Sequence, residues 1–243
     1  MNLAIDIGNS AVKSGIFKEG RLIQIIRFNH FNPQKIHQIV LKNKIHNMIV
    51  STVKGKAIKR SKRIKKSLDY WLTFSTETPV PITNLYQTPF TLGKDRLAAV
   101  TGANNIFPNE NVLVIDAGTA ITFDFINSKG EFMGGNISPG LSMRFRALHE
   151  FTQQLPLLSQ EEDTGLLGMD TEKSIRRGVQ NGMIFEINQY IKDLSVQYGK
   201  VKTILTGGNS NFFDNKLNCP IFVEPDLVLK GLNRILKYNI YER

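Results

Sequence analysis

Two short stretches of the 243-residue chain carry the same succession of chemical groups. Leu3-Ala4-Ile5-Asp6-Ile7-Gly8-Asn9-Ser10 and Leu113-Val114-Ile115-Asp116-Ala117-Gly118-Thr119-Ala120 each run from apolar residues into Asp-x-Gly, then into amide, hydroxyl or small side chains. A carboxylate at the end of a buried strand, next to a glycine that lets the backbone come close, suits a phosphate and its metal ion. Lys13, on the strand that returns from the first turn, adds a cation there. Asp6, Ile7, Gly8, Asn9, Ser10, Ala11, Val12 and Lys13 are therefore candidate anion-binding residues. A hairpin whose Gly-Asn-Ser merely turns the chain explains the first stretch equally well. Recurrence of the pattern at Asp116 and Thr119 favours a ligand, because a duplicated turn without one needs neither aspartate. Neither turn is a Gly-x4-Gly-Lys-Ser/Thr loop or a Gly-x-Gly-x-x-Gly fingerprint opening a helix, since both lead into strands.

Each turn needs a scaffold, and the two halves of the chain supply similar ones. Strands are expected over residues 3–7, 11–17 and 21–28, followed by a helix from Pro33 to about Lys44, a strand over 48–53 and a short strand over 72–75. Pro79, Pro81 and Pro89 make 78–91 an extended connection, and a helix follows over 95–106. In the second half, strands over 112–115, 120–126 and 131–134 repeat the meander, with helices over 142–151 and 171–198 and a loop at 153–164 between them. A strand over 202–206 ends in Gly207-Gly208, a short strand covers 221–223, and Pro225 opens a last helix to about Lys237. The pattern predicts an α/β protein of two similar domains, residues 1–110 and 111–243, with the working site in the cleft between them.

Charge and composition narrow the possible functions. The formal net charge of +10 is concentrated, because eight cations and no acid lie between Lys54 and Lys66 and the rest of the chain is nearly balanced. Ile58, Ile64, Leu68 and Trp71 recur at helical spacing through this run, so an amphipathic helix with solvated cations is expected there. No aromatic residues interleave the cations for base stacking, which argues against nucleic acid as a partner. The single cysteine, Cys219, permits no intrachain disulfide, and the four histidines lack metal-ligand spacing. No apolar run is long enough to span a bilayer. A soluble protein in a reducing, cytoplasmic compartment is the expectation.

Two phosphate-gripping hairpins, one per half, with Leu205-Thr206-Gly207-Gly208 after a later strand, resemble the acetate and sugar kinase, Hsp70 and actin superfold. The resemblance implies duplicated ribonuclease-H-like domains, each a mixed five-stranded sheet flanked by helices, with Gly207 and Gly208 by the adenosine. Three further segments are distinctive: Tyr86-Gln-Thr-Pro-Phe-Thr-Leu-Gly93-Lys94-Asp95-Arg96, Gly134-Gly135-Asn-Ile-Ser-Pro139-Gly140, read as a rigid loop before a helix, and Thr171-Glu-Lys-Ser-Ile-Arg-Arg-Gly178. Together with Asp-Ile-Gly-Asn-Ser and Asp-Ala-Gly-Thr-Ala-Ile-Thr they are similar, in order and over nearly the whole chain, to the type III pantothenate kinases. Ser10 departs from the threonine usual in that family but keeps the hydroxyl.

What the resemblance implies is ATP-dependent phosphorylation of pantothenate to 4′-phosphopantothenate, the first step of coenzyme A synthesis. Asp95 matches the family's proton acceptor; from the sequence alone it reads first as a helix N-cap. Asp6 to Lys13 and Thr119 match ATP contacts, and Asp116 matches the ligand of a monovalent cation, K⁺ or NH₄⁺. Mg²⁺ is expected to accompany ATP. Tyr86, Gly93, Lys94, Asp95, Arg96 and Thr171 match pantothenate contacts, and Arg96 reads otherwise as a helix-surface arginine. A homodimer is also implied, with Thr171 open between its own and the neighbouring subunit's site. The competing functions are another kinase or phosphatase of the superfold, and a non-catalytic nucleic-acid-binding regulator.

Overall fold

The computed structural model describes residues 1–8, 11–52, 61–162 and 165–242. Along the chain run β1 (Asn2–Ile7), β2 (Val12–Lys18), β3 (Arg21–Phe28), α1 (Pro33–Lys42), β4 (Asn47–Thr52), α2 (Lys62–Lys66), β5 (Tyr70–Thr73), β6 (Thr83–Asn84), a 3₁₀ turn at Pro89–Thr91 and α3 (Lys94–Ile106). There follow β7 (Asn111–Ala117), β8 (Ala120–Ile126), β9 (Glu131–Pro139), α4 (Leu141–Glu150), α5 (Thr171–Tyr198), β10 (Val201–Thr206), α6 (Ser210–Phe213), β11 (Phe222–Val223) and α7 (Leu227–Tyr241). They form two units, one of Met1–Pro108, Gly130–Phe132 and Asp226–Arg243, the other of Asn109–Lys129 and Met133–Pro225.

The sheet of the first unit has the order β3-β2-β1-β4-β5. β1 is antiparallel to β2 and parallel to β4, so it is covered on both edges. Its apolar run Leu3-Ala4-Ile5 is fully buried, as expected of a central strand with helices on its faces. The second sheet has six strands rather than the expected five, in the order β11-β10-β7-β8-β9-β6, and β9-β8-β7-β10-β11 repeat the order of the first, with β7 antiparallel to β8 and parallel to β10. Strand for strand, β7 stands where β1 does, so the repeated apolar-Asp-x-Gly pattern marks two equivalent central strands.

Local chemistry sets the helix limits. Pro33 fixes the first turn of α1, where the Asn32 side chain accepts from the Gln34 and Lys35 N–H groups at 3.0 and 3.1 Å. In α5 the Asp170 side chain accepts from Lys173 N–H at 2.8 Å, and Ile175, Val179, Met183, Ile187 and Ile191 place a buried residue on one face at every turn.

Three segments depart from the sequence expectation. Trp71 lies in β5 rather than on a helix, and the described part of the basic helix is only Lys62–Lys66, with Ile64 buried and its cations exposed. Lys65 Nζ still sits 5.1 Å over the Trp71 ring, so the two meet across the turn instead of along one helix. Ile58 and the earlier part of the basic run, like Asn9 and Ser10, lie outside the described residues. The expected loop at Gly134–Pro139 is a continuation of β9: a Cβ on Gly135 would meet the Phe123 carbonyl oxygen at 1.9 Å, so the glycine admits a close approach to β8. Pro225 precedes the last helix, and Asp226 stands at its N-cap position.

That last helix belongs to the first unit, against α3, β1 and β4. The crossing of α7 over α3 is tight, because a Cβ on Gly231 would lie 1.8 Å from the Ala98 carbonyl oxygen. Backbone rather than a mobile side chain stands in the way, so Gly231→Ala is expected to destabilise the fold by about 3 kcal/mol. A lowered urea midpoint in equilibrium unfolding checks this, and an unchanged midpoint contradicts it.

Candidate active site

In the first unit the site grows from the upper end of β1. Asp6 is the penultimate residue of β1, with Lys13 of β2 and Ser51 of β4 as its register partners on either side. The chain leaves β1 through Gly8, whose N–H donates to the Ala11 carbonyl at 3.1 Å, and returns in β2. Burial drives the Asp6 carboxyl up from its ordinary 3.8 to about 6, and the negative charge of Asp95 adds to the rise. Lys13, a hydrogen bond from the Ser51 hydroxyl and Lys94 act in the opposite sense. Asp6, Lys13, Lys94 and Asp95 thus share one electrostatic environment, although they come from two strands and a helix.

Asp95 stands exposed in the first turn of α3, where the helix dipole favours a carboxylate. Gly93, not Asp95, is the N-cap, but Asp95 Oδ1 accepts from the Arg96 N–H at 2.9 Å and so helps to satisfy the helix end. Gly93 explains itself in this setting: a Cβ there would fall 2.6 Å from Asp95 Oδ1 and push the carboxylate aside. The Lys94 ammonium donates to the Thr52 carbonyl at the end of β4. Arg96 is not a helix-surface arginine. It is 6% exposed, and its guanidinium lies 5.5 Å over the Tyr86 ring, which itself stacks at 6.1 Å on Phe132. The short pairing of β6 with Glu131 and Phe132, invisible in the sequence, holds Tyr86 in that place.

In the second unit Asp116 is the penultimate residue of β7, but its register partners are Thr122 of β8 and Thr206 of β10. The position held by a lysine beside Asp6 is held by a hydroxyl beside Asp116. Backbone closes in on this carboxylate: a Cβ on Gly207, whose φ is +93°, would lie 2.4 Å from Asp116 Oδ1, and one on Gly118 would lie 3.1 Å away. The Asn209 N–H donates to the Ala117 carbonyl at 3.0 Å, tying the Gly207-Gly208 turn to the end of β7. Thr119 and Gly208 are exposed beside it. Among the described residues no group of three or more His, Cys, Asp or Glu could hold a metal ion. Asp116 is thus flanked by its threonine register partners and closely approached by the backbone at Gly207.

Thr171 opens onto a different feature. As the first residue of α5 it lines a cavity of about 1240 Å³, with Arg144 and Leu148 of α4, Phe151 and Met169. Arg144 braces the wall by donating to the Pro139 carbonyl, to Ser138 Oγ and to Glu186. Sequence reasoning did not single out Ser51 or Asp226. Ser51 is marked only by its register with Asp6, and Asp226 lies 2.8 Å from the Lys13 ammonium.

Comparison with solved structures bears on the fold. The chain is similar to a candidate Baf family transcriptional activator from Campylobacter jejuni, at a TM-score of 0.63 and 24% identity over 98% of both chains. It is also similar to a candidate 2-dehydro-3-deoxygalactonokinase from Sinorhizobium meliloti, at a TM-score of 0.56 and 12% identity over 100% of both. The doubled sheet order and the two Asp-x-Gly turns define a protein of the actin, Hsp70 and sugar kinase superfold. Residues 2–193 match the family model of type III pantothenate kinase, and a type III pantothenate kinase from Phocaeicola vulgatus is 46% identical over 98% of this chain and 99% of its own. The chain belongs to the type III pantothenate kinase family.

Proposed function

We propose that this chain transfers the γ-phosphoryl group of ATP to the free hydroxyl of pantothenate, giving 4′-phosphopantothenate and ADP, the step that commits pantothenate to coenzyme A. Within this family, the observation that carries the assignment of roles is the grouping of Asp6, Lys13, Lys94 and Asp95 at the ends of β1, β2 and α3. Such a transfer needs little covalent chemistry from the protein, only alignment, charge neutralisation and a place for the acceptor's proton. Asp95 is the group for the proton, because it is exposed and its neighbour Arg96 is fixed over Tyr86. As the hydroxyl oxygen bonds to the γ-phosphorus, Asp95 takes the hydroxyl proton and the bond to the β,γ-bridging oxygen breaks, with its electron pair leaving on ADP.

Asp6, Gly8 and Ala11 to Lys13, with Asn9 and Ser10 from the same motif, are assigned to the nucleotide, together with Thr119, Gly207 and Gly208. Tyr86, Gly93 to Arg96 and Thr171 are assigned to pantothenate. Mg²⁺ is taken to arrive with the ATP phosphates. Asp116 is assigned to a monovalent cation, K⁺ or NH₄⁺, which supplies positive charge where this unit has threonine in place of lysine. A homodimer goes with the family. The strongly exposed Phe151 and Met169 that line the Thr171 cavity are the kind of apolar surface that a second copy covers. A cytoplasmic location, where ATP is at hand, completes the assignment.

An acceptor panel tests the function. ADP release is expected with pantothenate and not with acetate, hexoses or polyphosphate, and release with any of the others in its place contradicts it. In the same assay, replacing K⁺ by Na⁺ is expected to lower the rate at least about tenfold, since the larger and smaller ions differ in the ligand cage they accept. Equal rates in both salts would remove the role given to Asp116.

A further inference from the structure

Asp226 occupies the N-cap position of α7, yet its side chain makes no cap hydrogen bond. An aspartate there ordinarily accepts from the N–H of the second or third helical residue. Here its Oδ1 lies instead 2.8 Å from Nζ of Lys13, with the two side chains only 16% and 26% exposed. Lys13 is the register partner of Asp6 across β1 and β2. One ammonium is therefore held by a carboxylate from the far end of the sequence while it faces the carboxylate of the phosphate-gripping turn.

We propose that Asp226 is a positioning residue for phosphoryl transfer, fixing the Lys13 ammonium at the mouth of the Asp6 turn where the nucleotide phosphates are bound. The inference rests on the assignment of Lys13 to the nucleotide. A lysine is a point charge on a flexible four-carbon stem, so its value to a phosphate depends on what holds it. An ammonium carries three donors, and an ion pair with Asp226 does not exhaust them. The ion pair is partly buried, so solvent and salt screen it less than an exposed pair and it favours one placement of the ammonium. The alternative use of Asp226, as a cap, is the one its geometry forgoes.

Asp226→Asn isolates the charge, because asparagine has the same shape and caps a helix equally well. Steady-state kinetics in both substrates, on the parent, Asp226→Asn, Lys13→Met and the double variant, provide the test. Asp226→Asn is expected to raise KM for ATP about tenfold and leave KM for pantothenate unchanged, with the melting temperature of the parent. Lys13→Met does at least as much, and the double variant is no worse than Lys13→Met alone, because both changes remove one interaction. Asp226→Glu, which keeps the charge, restores most of the affinity. Should Asp226→Asn fail to fold, Asp226→Ser, another neutral capping residue, takes its place. Unchanged KM for ATP in Asp226→Asn alongside a raised value in Lys13→Met overturns the inference, and so do additive effects. Unchanged KM for ATP in Lys13→Met overturns the nucleotide assignment itself, and the role of Asp226 with it.

Discussion

Asp95→Asn is expected to lower pantothenate-dependent turnover by at least about a thousandfold while the affinity for ATP stays within about twofold. The substitution keeps the shape of the side chain and its acceptor oxygen, so the contact to the Arg96 N–H that helps close the start of α3 survives. What it removes is the group that takes the acceptor's proton. A neutral residue also relieves Asp6 of one of the two influences that raise its carboxyl, which leaves that carboxylate at least as available to the nucleotide side. The two readouts therefore separate: single-turnover chemistry collapses, and equilibrium titration with a non-hydrolysable ATP analogue does not. Turnover near that of the parent would show that the proton goes elsewhere and that Asp95 serves only the helix end.

Asp6→Asn is expected to make the protein more stable at neutral pH and poorer as an enzyme. Folding raises the Asp6 carboxyl from 3.8 to about 6, chiefly through burial and then through Asp95. A raised carboxyl means that the folded state holds its proton more tightly than the unfolded state does. Keeping the group charged therefore counts against folding, fully above about pH 6, progressively less between pH 6 and 3.8, and not at all below 3.8. The shift corresponds to about 3 kcal/mol at neutral pH, or about 6 °C in melting temperature for a chain of this size. Asparagine lacks the charge, so the variant should melt higher than the parent at pH 7.5 and level with it near pH 4. Activity should fall at both, because the carboxylate is retained at that cost for the nucleotide. A variant that melts lower at pH 7.5 would mean that Lys13 and Ser51 more than offset the burial of Asp6.

Much of this was legible in the sequence where one physical cause dominates. Central strands covered on both faces must be apolar, so β1 and β7 appear as uninterrupted runs ending in Asp6 and Asp116, and their equivalence follows from the repeat. The long helix α5 declares itself through the apolar spacing of Ile175, Val179, Ile187 and Ile191, which are buried along it. Trp71 misleads because helical spacing from Ile64 and Leu68 coincides with a turn into a strand, where Lys65 still reaches over the ring. The extension of β9 through Gly134 and Gly135 is hidden because glycines ordinarily break strands, and only the Phe123 carbonyl beside Gly135 shows why one is needed. In the proposed site, residue types and spacing pointed to Asp6 and Lys13, whereas Asp95 and Arg96 drew attention only through the family resemblance. Asp226 could not be identified, since an aspartate before a helix already has a sufficient local reason.

The central claim is tested most directly by following the phosphorus. The protein is incubated with ATP, Mg²⁺, K⁺ and pantothenate, and the products are resolved by mass spectrometry. The expected result is 4′-phosphopantothenate formed in equal amount to ADP, and neither formed when pantothenate is omitted. ADP without phosphorylated pantothenate, or no consumption of ATP at all in the presence of K⁺, would contradict it.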